Sequence, residues 1–414
     1  MSVCFTSLHI NGHLCPASTE ATFEVRNPYS NKLVGLAAAA SSQDCKDAID
    51  AAARAFRTWE NSPLIARRDV FLKAADLLES EKYRERAKVA LQEETATTDE
   101  MNGHPTEGET FPSMLEGGYV VAQRRAIGVV LAIAPWNSPL VLSIRAVALP
   151  IICGNTVVLK CSENSPRSQA LIAELFDEAG LPDGVLNFIS MAKEDSPMLT
   201  AEMIAHPDVR KINFTGSDKV GKIIAGEAAK YLKPCVFELG GKSPVVVLND
   251  ADIPRAARAI TSSALLNSAK LKQATRTAIP LWRLGSLHRR LGGKCFVQPH
   301  LLMGVKPGMR LWDQESFGPL AVLAVVDTTD EAVDLANESS YSLVAALWTQ
   351  NVNTAFDIAA RIRAGYTNIN GPTMHEEYMR NHIGLGGATG YGHFDIDSWS
   401  EIPGRSLQWR ILCS

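Results

Sequence analysis

The sequence predicts an α/β fold built on a parallel sheet that is covered on both faces. From residue 129 to residue 247, short apolar runs alternate with turns and helical segments. The apolar runs predict strands at residues 129–134, 156–159, 185–189, 211–214 and 235–238. Strands that are apolar on both sides and alternate with helices are typical of a parallel sheet between two helical layers.

Length and composition narrow the class of protein. At 414 residues the chain is too long for one ordinary core, so two or three lobes are expected. A hydrophobic content of 46% and a charged content of 21% are typical of soluble globular proteins. The formal net charge of −4 gives no reason to expect nucleic acid or an anionic membrane as a partner.

The cysteines and the N-terminal residues indicate in which cellular compartment the protein is expected. The 8 cysteines are scattered, with no CxxC pair and no histidine at metal-like spacing, so we expect reduced thiols and no metal site. The first residues lack a basic segment followed by a long apolar one, which argues against a signal peptide. The longest apolar run, residues 146–153, is too short to span a bilayer. We therefore expect a cytoplasmic protein.

The N-terminal third predicts short strands followed by helices. Residues 1–40 alternate polar and apolar positions around the turns at Asn11-Gly12 and residues 27–32. Residues 44–57 predict a helix with Ser41 or Ser42 as the N-cap, and residues 64–90 continue with helical periodicity. Residues 119–133 alternate around a turn at 123–125 and predict a β-hairpin.

The C-terminal half predicts a second α/β lobe. Helices are expected at residues 251–267, 330–337 and 352–364. Strands are expected at residues 245–248, 320–326 and 343–349.

One stretch, Phe237-Glu238-Leu239-Gly240-Gly241-Lys242, places a carboxylate at the end of a strand and two glycines directly after it. Glycines allow backbone to approach a ligand closely. Taken alone, the stretch is equally consistent with a ligand site and with an ordinary turn between strands that carries a solvated glutamate. Five further motifs change this balance: residues 134–137, 157–163, 214–217, 315–319 and 368–372.

These six motifs, in this order and over nearly the whole chain, resemble the aldehyde dehydrogenase superfamily. Within this superfamily, the sequence is most similar to the branch that oxidises salicylaldehyde, vanillin and other aromatic aldehydes. The resemblance implies NAD-dependent oxidation of an aldehyde to the carboxylic acid by a homodimer or homotetramer. It leaves open whether the reaction serves the degradation of aromatics or the tailoring of natural products.

The resemblance also implies a domain organisation. Residues 1–118 and 134–239 would form the NAD-binding domain, and residues 240–390 the catalytic domain. Residues 119–133 and 391–414 would form an oligomerisation hairpin and a C-terminal strand.

Two residues are implied in catalysis. Asn137 matches the family's oxyanion donor, and a neutral side-chain amide suits that task because it donates without a charge that would trap the aldehyde. Glu238 matches the general base of hydrolysis. A carboxylate near apolar strand ends is expected to have a raised pKa, which suits a base that works near neutrality.

Other matched residues are implied in cofactor binding. Lys160 and Glu163 would reach the adenosine ribose hydroxyls, and Glu163 would repel a 2′-phosphate, which favours NAD over NADP. The turn at residues 214–221 opens a helix after a strand, where backbone N–H groups can face a pyrophosphate. The full set implied in NAD binding is Trp136, Lys160, Glu163, Gly216, Ser217, Gly221, Leu239, Glu315 and Phe317.

The chain departs from the family in two places. Counting from Glu238, Lys272 falls where relatives carry the nucleophilic cysteine. The catalytic domain is shortened around residues 271–292, and residues 95–118 lack a few turns of a usual helix. His104 is interpreted as a loop residue and Cys295 as a packing residue.

A lysine can form an imine with an aldehyde, but an imine has no oxyanion and is not poised to expel hydride. Two interpretations stay open: a catalytically impaired or inactive relative that retains nucleotide binding, or a product of an error in the gene model.

Overall fold

The computed structural model describes residues 4–28, 30–94, 109–112, 119–122, 125–265, 300–373, 386–392 and 400–401. The helices are α1 (Ser42–Trp59), α2 (Leu64–Glu79), α3 (Glu81–Glu94), α4 (Pro139–Ile152), α5 (Pro166–Glu178), α6 (Ser196–Ala205), α7 (Asp218–Ala229), α8 (Ile253–Leu265), α9 (Arg310–Asp313), α10 (Thr329–Asn337) and α11 (Val352–Arg361). The strands are β1 (Cys4–Thr6), β2 (Leu8–Ile10), β3 (His13–Cys15), β4 (Thr22–Arg26), β5 (Leu33–Ala38), β6 (Glu109–Pro112), β7 (Tyr119–Ala122), β8 (Arg125–Ala126), β9 (Val129–Ile133), β10 (Thr156–Lys160), β11 (Leu186–Ile189), β12 (Val209–Thr215), β13 (Cys235–Glu238), β14 (Val245–Val247), β15 (His300–Met303), β16 (Leu320–Leu323), β17 (Val344–Trp348), β18 (Tyr366–Ile369), β19 (Gly390–Tyr391) and β20 (Ser400–Glu401).

The chain divides into two compact units, and the main division falls between Phe237 and Glu238. The first unit contains the described residues up to 27, those from 32 to 237, and residues 400–401. The second contains residue 28, residues 30–31, and the described residues from 238 to 392. The predicted boundary after Leu239 lies next to this division, and the roles assigned to the domains stay predictions.

The first unit is built on one large sheet, in which neighbouring strands run in the order β13-β12-β9-β10-β11-β2-β3. Strands β12, β9, β10 and β11 run parallel to one another, and the N-terminal pair β2-β3 extends the sheet in antiparallel fashion. Every residue of β9 and β10 is buried. These strands confirm the predicted parallel sheet with two covered faces.

Two groups of helices cover this sheet. Helix α1 packs against β9, β10 and β11 and contacts α6, which packs against β12. Helices α4 and α5 pack against each other and against β10 and β11 respectively. Helix α1 begins with a reciprocal capping box, in which Ser41 Oγ accepts from the Asp44 N–H while the Asp44 carboxylate accepts from the Ser41 N–H. This assigns the predicted N-cap to Ser41 rather than Ser42.

The helical periodicity predicted for residues 64–90 is confirmed, and the chain forms two helices there, α2 and α3. Ser80, between α2 and α3, has an extended backbone conformation with ψ of 150°. Its N–H and its hydroxyl both donate to the Leu77 carbonyl and satisfy the end of α2 locally. Helical periodicity continues across this break, so the pattern alone did not reveal it.

The β-hairpin predicted for residues 119–133 pairs differently in the structure. Strand β7 pairs antiparallel with β6, and β8 pairs antiparallel with β20. Strand β9 belongs to the central sheet. The alternating pattern identified strands correctly but did not identify their partners: β6 lies shortly before β7 in the sequence, whereas β20 lies far from β8.

The second unit contains a smaller parallel sheet, β14-β17-β18. Val246 and Leu347 of this sheet form a core with Val333 of α10 and Ile358 of α11. Strands β15 and β16 form a separate parallel pair. Across the described residues, no helix is both long enough and apolar enough to cross a membrane.

Candidate active site

Three loops of the first unit meet at the carboxyl edge of the parallel sheet. Strands β12, β9 and β10 are adjacent, and Ile133 at the end of β9 is in register with Phe214 on one side and Lys160 on the other. The loops that follow these strands therefore lie side by side. This edge is where open α/β sheets bind their ligands.

The loop after β9 carries Trp136 and Asn137, which directly precede helix α4. Ser138 is the N-cap of that helix and Pro139 is its first residue. The side-chain oxygen Oδ1 of Asn137 is buried and accepts no hydrogen bond from the described residues. The N-terminus of a helix carries partial positive charge, so this position can stabilise a negative oxygen.

The loop after β10 carries Lys160 and Glu163. Lys160 is only 8% exposed, and it forms no ion pair within the described part of the chain. Burial lowers the pKa of Lys160, while the nearby charge of Glu163 opposes that shift. The Glu163 carboxylate receives only long hydrogen bonds of 3.4 Å, from Ser162 Oγ and Asn164 Nδ2. One donor and one weakly engaged acceptor therefore lie close together, which suits a ligand with adjacent hydroxyls.

The loop after β12 carries Gly216 and Ser217, which lead into helix α7. Ser217 Oγ caps this helix by accepting from the Val220 N–H at 3.4 Å. A Cβ atom on Gly216 would lie 2.5 Å from the Phe214 ring, so the turn needs glycine. Gly221 is buried in the first turn of α7, and its N–H donates to the Ser217 carbonyl at 2.9 Å. Free N–H groups at such a helix start can bind an anion such as a phosphate.

In the second unit, Glu238 begins a tightly held loop. Glu238 is the last residue of β13 and is 7% exposed. Thr389 holds the next two residues, because its carbonyl accepts from the Leu239 N–H at 2.8 Å and its Oγ1 donates to the Gly240 carbonyl at 2.8 Å. The Gly241 N–H then donates to Glu315 Oε1 at 3.2 Å. The structure thus brings Glu238, Leu239 and Glu315 into one connected segment of the second unit.

Lys242 and Phe317 extend this segment. Lys242 Nζ donates to the carbonyls of Leu311 at 2.7 Å and Gln314 at 3.2 Å, so it holds the end of α9 directly before Glu315. Phe317 has a positive φ of 50° and is 38% exposed. A bulky residue in the left-handed region is strained, and such strain often occurs at ligand sites.

The predicted site residues thus fall into two groups, one in each unit, and their individual roles stay predictions. Lys272, Cys295 and His104 lie outside the described residues. Sequence reasoning missed Thr389 and Lys242. Lys242 directly follows Gly240 and Gly241, and Thr389 lies in the glycine-rich segment at residues 384–392. A search for polar residues beside those glycines would have found both.

Comparison with known proteins bears on what this site does. The model of the "Aldehyde dehydrogenase family" matches residues 15–279 and 269–401. The chain is 37% identical to vanillin dehydrogenase from Pseudomonas sp. (strain HR199 / DSM 7063), over 97% of each chain. It is 33% identical to salicylaldehyde dehydrogenase from Pseudomonas sp. (strain C18), over 97% of this chain and 98% of that protein.

Solved structures agree with these relatives. A salicylaldehyde dehydrogenase from Pseudomonas putida G7, crystallised with salicylaldehyde, matches with a TM-score of 0.86 and 30% identity, over 99% of this chain and 100% of that one. An aldehyde dehydrogenase from Bacillus cereus, solved as its NAD+ complex, matches with a TM-score of 0.83 and 26% identity, over 96% and 95% of the two chains. The motifs, the fold and the relatives thus agree, and the chain belongs to the aldehyde dehydrogenase family.

Proposed function

We propose that this chain oxidises an aromatic aldehyde to the carboxylic acid, with NAD as the hydride acceptor. The observation that carries the proposal is the 37% identity to vanillin dehydrogenase over 97% of both chains. Relatives named for salicylaldehyde and benzaldehyde support the same substrate class.

The residues at the strand edge of the first unit fit NAD. Lys160 and Glu163 offer a buried donor and a weakly engaged acceptor to the adenosine ribose, while Gly216 and Ser217 lead to the free N–H groups at the start of α7. In the second unit, Leu239, Glu315 and Phe317 would contact the nicotinamide side. Bound NAD would accept the hydride that leaves the aldehyde carbon. Because Glu163 would repel a 2′-phosphate, we propose NAD rather than NADP.

Two residues of the chain would handle charge and protons. The side-chain amide of Asn137 would donate to the oxygen that becomes negative when the aldehyde carbon turns tetrahedral. Loss of one such donor typically raises the barrier by about 3–4 kcal/mol. Glu238, buried at the end of β13, would take a proton from the water that releases the acid.

A second candidate function follows from Lys272. A chain with lysine at the nucleophile position would bind NAD but oxidise aldehydes poorly. The alignment with vanillin dehydrogenase runs over 474 residues, whereas this chain has 414. The difference supports the view that this chain lacks segments that its relative has. Sequencing the transcript across codons 90–120 and 265–295 would separate a biological departure from an error in the gene model.

The test of the proposed function has two parts. NAD and NADP are first titrated against the tryptophan fluorescence of the purified chain. Vanillin, salicylaldehyde, benzaldehyde and an aliphatic aldehyde are then offered with NAD, and NADH and the acid are both quantified. Saturable NAD binding with a preference for aromatic aldehydes supports the proposal. Preference for the aliphatic aldehyde, or absence of NAD binding in a folded preparation, refutes it.

We also propose a cytoplasmic homodimer or homotetramer. Helix α7 and the turn after it expose large apolar side chains, with Ile223 at 64% and Leu232 at 92% exposed, and these favour contact with a second copy. The six cysteines within the described residues are free, which is typical of a reducing compartment. Light scattering and cell fractionation test the two statements, and a monomer or a secreted protein would contradict them.

A further inference from the structure

The side chain of Gln169, on helix α5, is completely buried and has four hydrogen bonds. Its oxygen Oε1 accepts from the Ser162 N–H at 2.8 Å and from Ser165 Oγ at 3.1 Å. Its nitrogen Nε2 donates to Ser143 Oγ at 2.8 Å and to the Ala134 carbonyl at 3.4 Å. Both acceptor positions and both donor hydrogens of the amide are thus used.

The four partners belong to two segments at the strand edge: the loop between β10 and α5, and the loop after β9 together with the start of α4. Ser162 and Ser165 lie on either side of Glu163, in the loop between β10 and α5. Ala134 precedes Trp136 and Asn137, and Ser143 lies in α4, which begins just after them. A backbone hydrogen bond from the Ala134 N–H to the Lys160 carbonyl, 3.3 Å long, joins the same two loops.

We infer that Gln169 is a positioning residue that fixes the loop of Asn137 and the loop of Lys160 and Glu163 relative to each other. The inference rests on the proposed function, which assigns an oxyanion donor to the first loop and the ribose contacts to the second. One buried amide between the two loops keeps the oxyanion donor of the first loop and the ribose contacts of the second in fixed relative positions.

Few side chains can replace this amide. Methionine has a similar length but would leave the Ser162 N–H and the Ser143 hydroxyl without their partner in a buried place, which is costly. Glutamate could accept from Ser162 and Ser165 but would place a carboxylate against the Ala134 carbonyl.

The chain supplies a matched control for a merely structural role. Asn187 on β11 is also completely buried; its Oδ1 accepts from the Asn11 N–H at 2.9 Å and its Nδ2 donates to the Gly184 carbonyl at 2.8 Å. These partners join the N-terminal turn to the sheet and belong to neither loop of the strand edge. Asn187→Leu should therefore lower stability without an effect specific to those loops.

The experiment compares hydrogen exchange and NAD affinity in the full chain and its variants. In Gln169→Met, we expect faster amide exchange in both segments 134–143 and 160–169, and an NAD dissociation constant raised about tenfold. Asn187→Leu should raise exchange in these two segments no more than in the rest of the first unit, and it should leave NAD affinity unchanged. Ser143→Ala is a milder variant that can be used if Gln169→Met does not fold. It should speed exchange in segment 160–169, although Ser143 itself lies in α4 within the other segment.

Two results would overturn the inference. One is faster exchange in only one of the two segments in Gln169→Met. For Ser143→Ala, the corresponding result is faster exchange in segment 134–143 alone. The other is an equal loss of NAD affinity in Gln169→Met and Asn187→Leu, which would reduce Gln169 to a stability residue. If the unmodified chain binds no NAD, the proposed function fails, but the exchange pattern still decides whether Gln169 links the two loops.

Discussion

The Gly241 N–H donates to Glu315 Oε1 at 3.2 Å, and this bond ties the glycine loop after Glu238 to the segment after α9. The other carboxylate oxygen of Glu315 lies only 2.8 Å from the position that a Cβ on Gly240 would occupy, and Tyr341 Cε1 lies 3.0 Å from it. Gly240 therefore leaves room for Glu315 to reach the backbone of its neighbour.

Gly240→Ala should displace the Glu315 side chain and weaken NAD binding several-fold, because the flexible carboxylate moves more readily than the backbone. Fluorescence titration with NAD measures the effect. Gly226→Ala on α7 is the control, since a Cβ there meets nothing within 4 Å, and alanine should stabilise the helix slightly. Equal NAD affinity in both variants would contradict the assigned position of Glu315.

Thr389 is expected to stabilise the loop after Glu238 through its hydroxyl. This side chain is completely buried, donates to the Gly240 carbonyl and accepts from the Ser342 N–H at 2.9 Å. Thr389→Val keeps the shape but leaves both backbone groups without this partner, and it should cost on the order of 2–3 kcal/mol of unfolding free energy. Urea denaturation measures this cost, and Thr389→Ser should restore much of it.

The exposed Thr261 on α8 donates only to the Ala257 carbonyl of its own helix, so Thr261→Val should change the unfolding free energy little. A loss of the same size at both threonines would show that the buried hydroxyl is not special.

Glu163 is expected to set the choice between NAD and NADP. Glu163→Gln removes the negative charge that would face a 2′-phosphate and should raise the ratio of NADP to NAD affinity about tenfold. Titration with both cofactors measures the ratio. Glu174→Gln makes the same change in net charge on α5, where the carboxylate pairs with Arg86, and should leave the ratio unaltered. A ratio that changes equally in both variants would show a general charge effect.

Glu94 should make the stability of the first unit depend on pH. Its buried carboxylate accepts from the N–H groups of Arg167 at 2.8 Å and Ser168 at 2.7 Å, at the start of α5. Burial raises the pKa of Glu94 to about 7 from its ordinary 4.5, although these hydrogen bonds and the charge of Arg167 oppose the shift. The folded state therefore binds more protons than the unfolded state between these pH values, and stability should fall as pH rises from about 4.5 to about 7.

Urea denaturation over this pH range checks the prediction. Glu94→Gln should remove the Glu94 contribution, so the unfolding free energy of the unmodified chain, relative to this variant, should decline as pH rises. Glu93→Gln, at a half-exposed carboxylate that pairs with Arg167, should keep the decline. Parallel pH profiles for the unmodified chain and Glu94→Gln would contradict the raised pKa.

Sequence patterns located the elements better than their connections. Strands β9, β10 and β13 begin and end within a residue of their predicted limits, because apolar β-branched runs between turns are consistent with few other structures. The partner of β8 was not predictable, since pairing with β20 depends on a segment far away in sequence. The partner of β7, strand β6, is close in sequence but was not predicted as a strand.

The site followed the same division. Residues at strand ends, such as Asn137, Lys160 and Glu238, could be predicted from their position in motifs. Gln169 could not, because it is an ordinary polar residue whose importance lies in its complete burial and in partners from two separate segments.

We propose that this chain has the site of an aromatic aldehyde dehydrogenase, with Lys272 at the position of the family's thiol. The most direct test is the amount of NADH and acid formed from vanillin and NAD by the unmodified chain and by Lys272→Cys. We expect both proteins to bind NAD and Lys272→Cys to form NADH and vanillic acid far faster. Equal, steady turnover by the two proteins would contradict the assignment of Lys272, and absence of turnover in a folded, NAD-binding Lys272→Cys would contradict the proposed function.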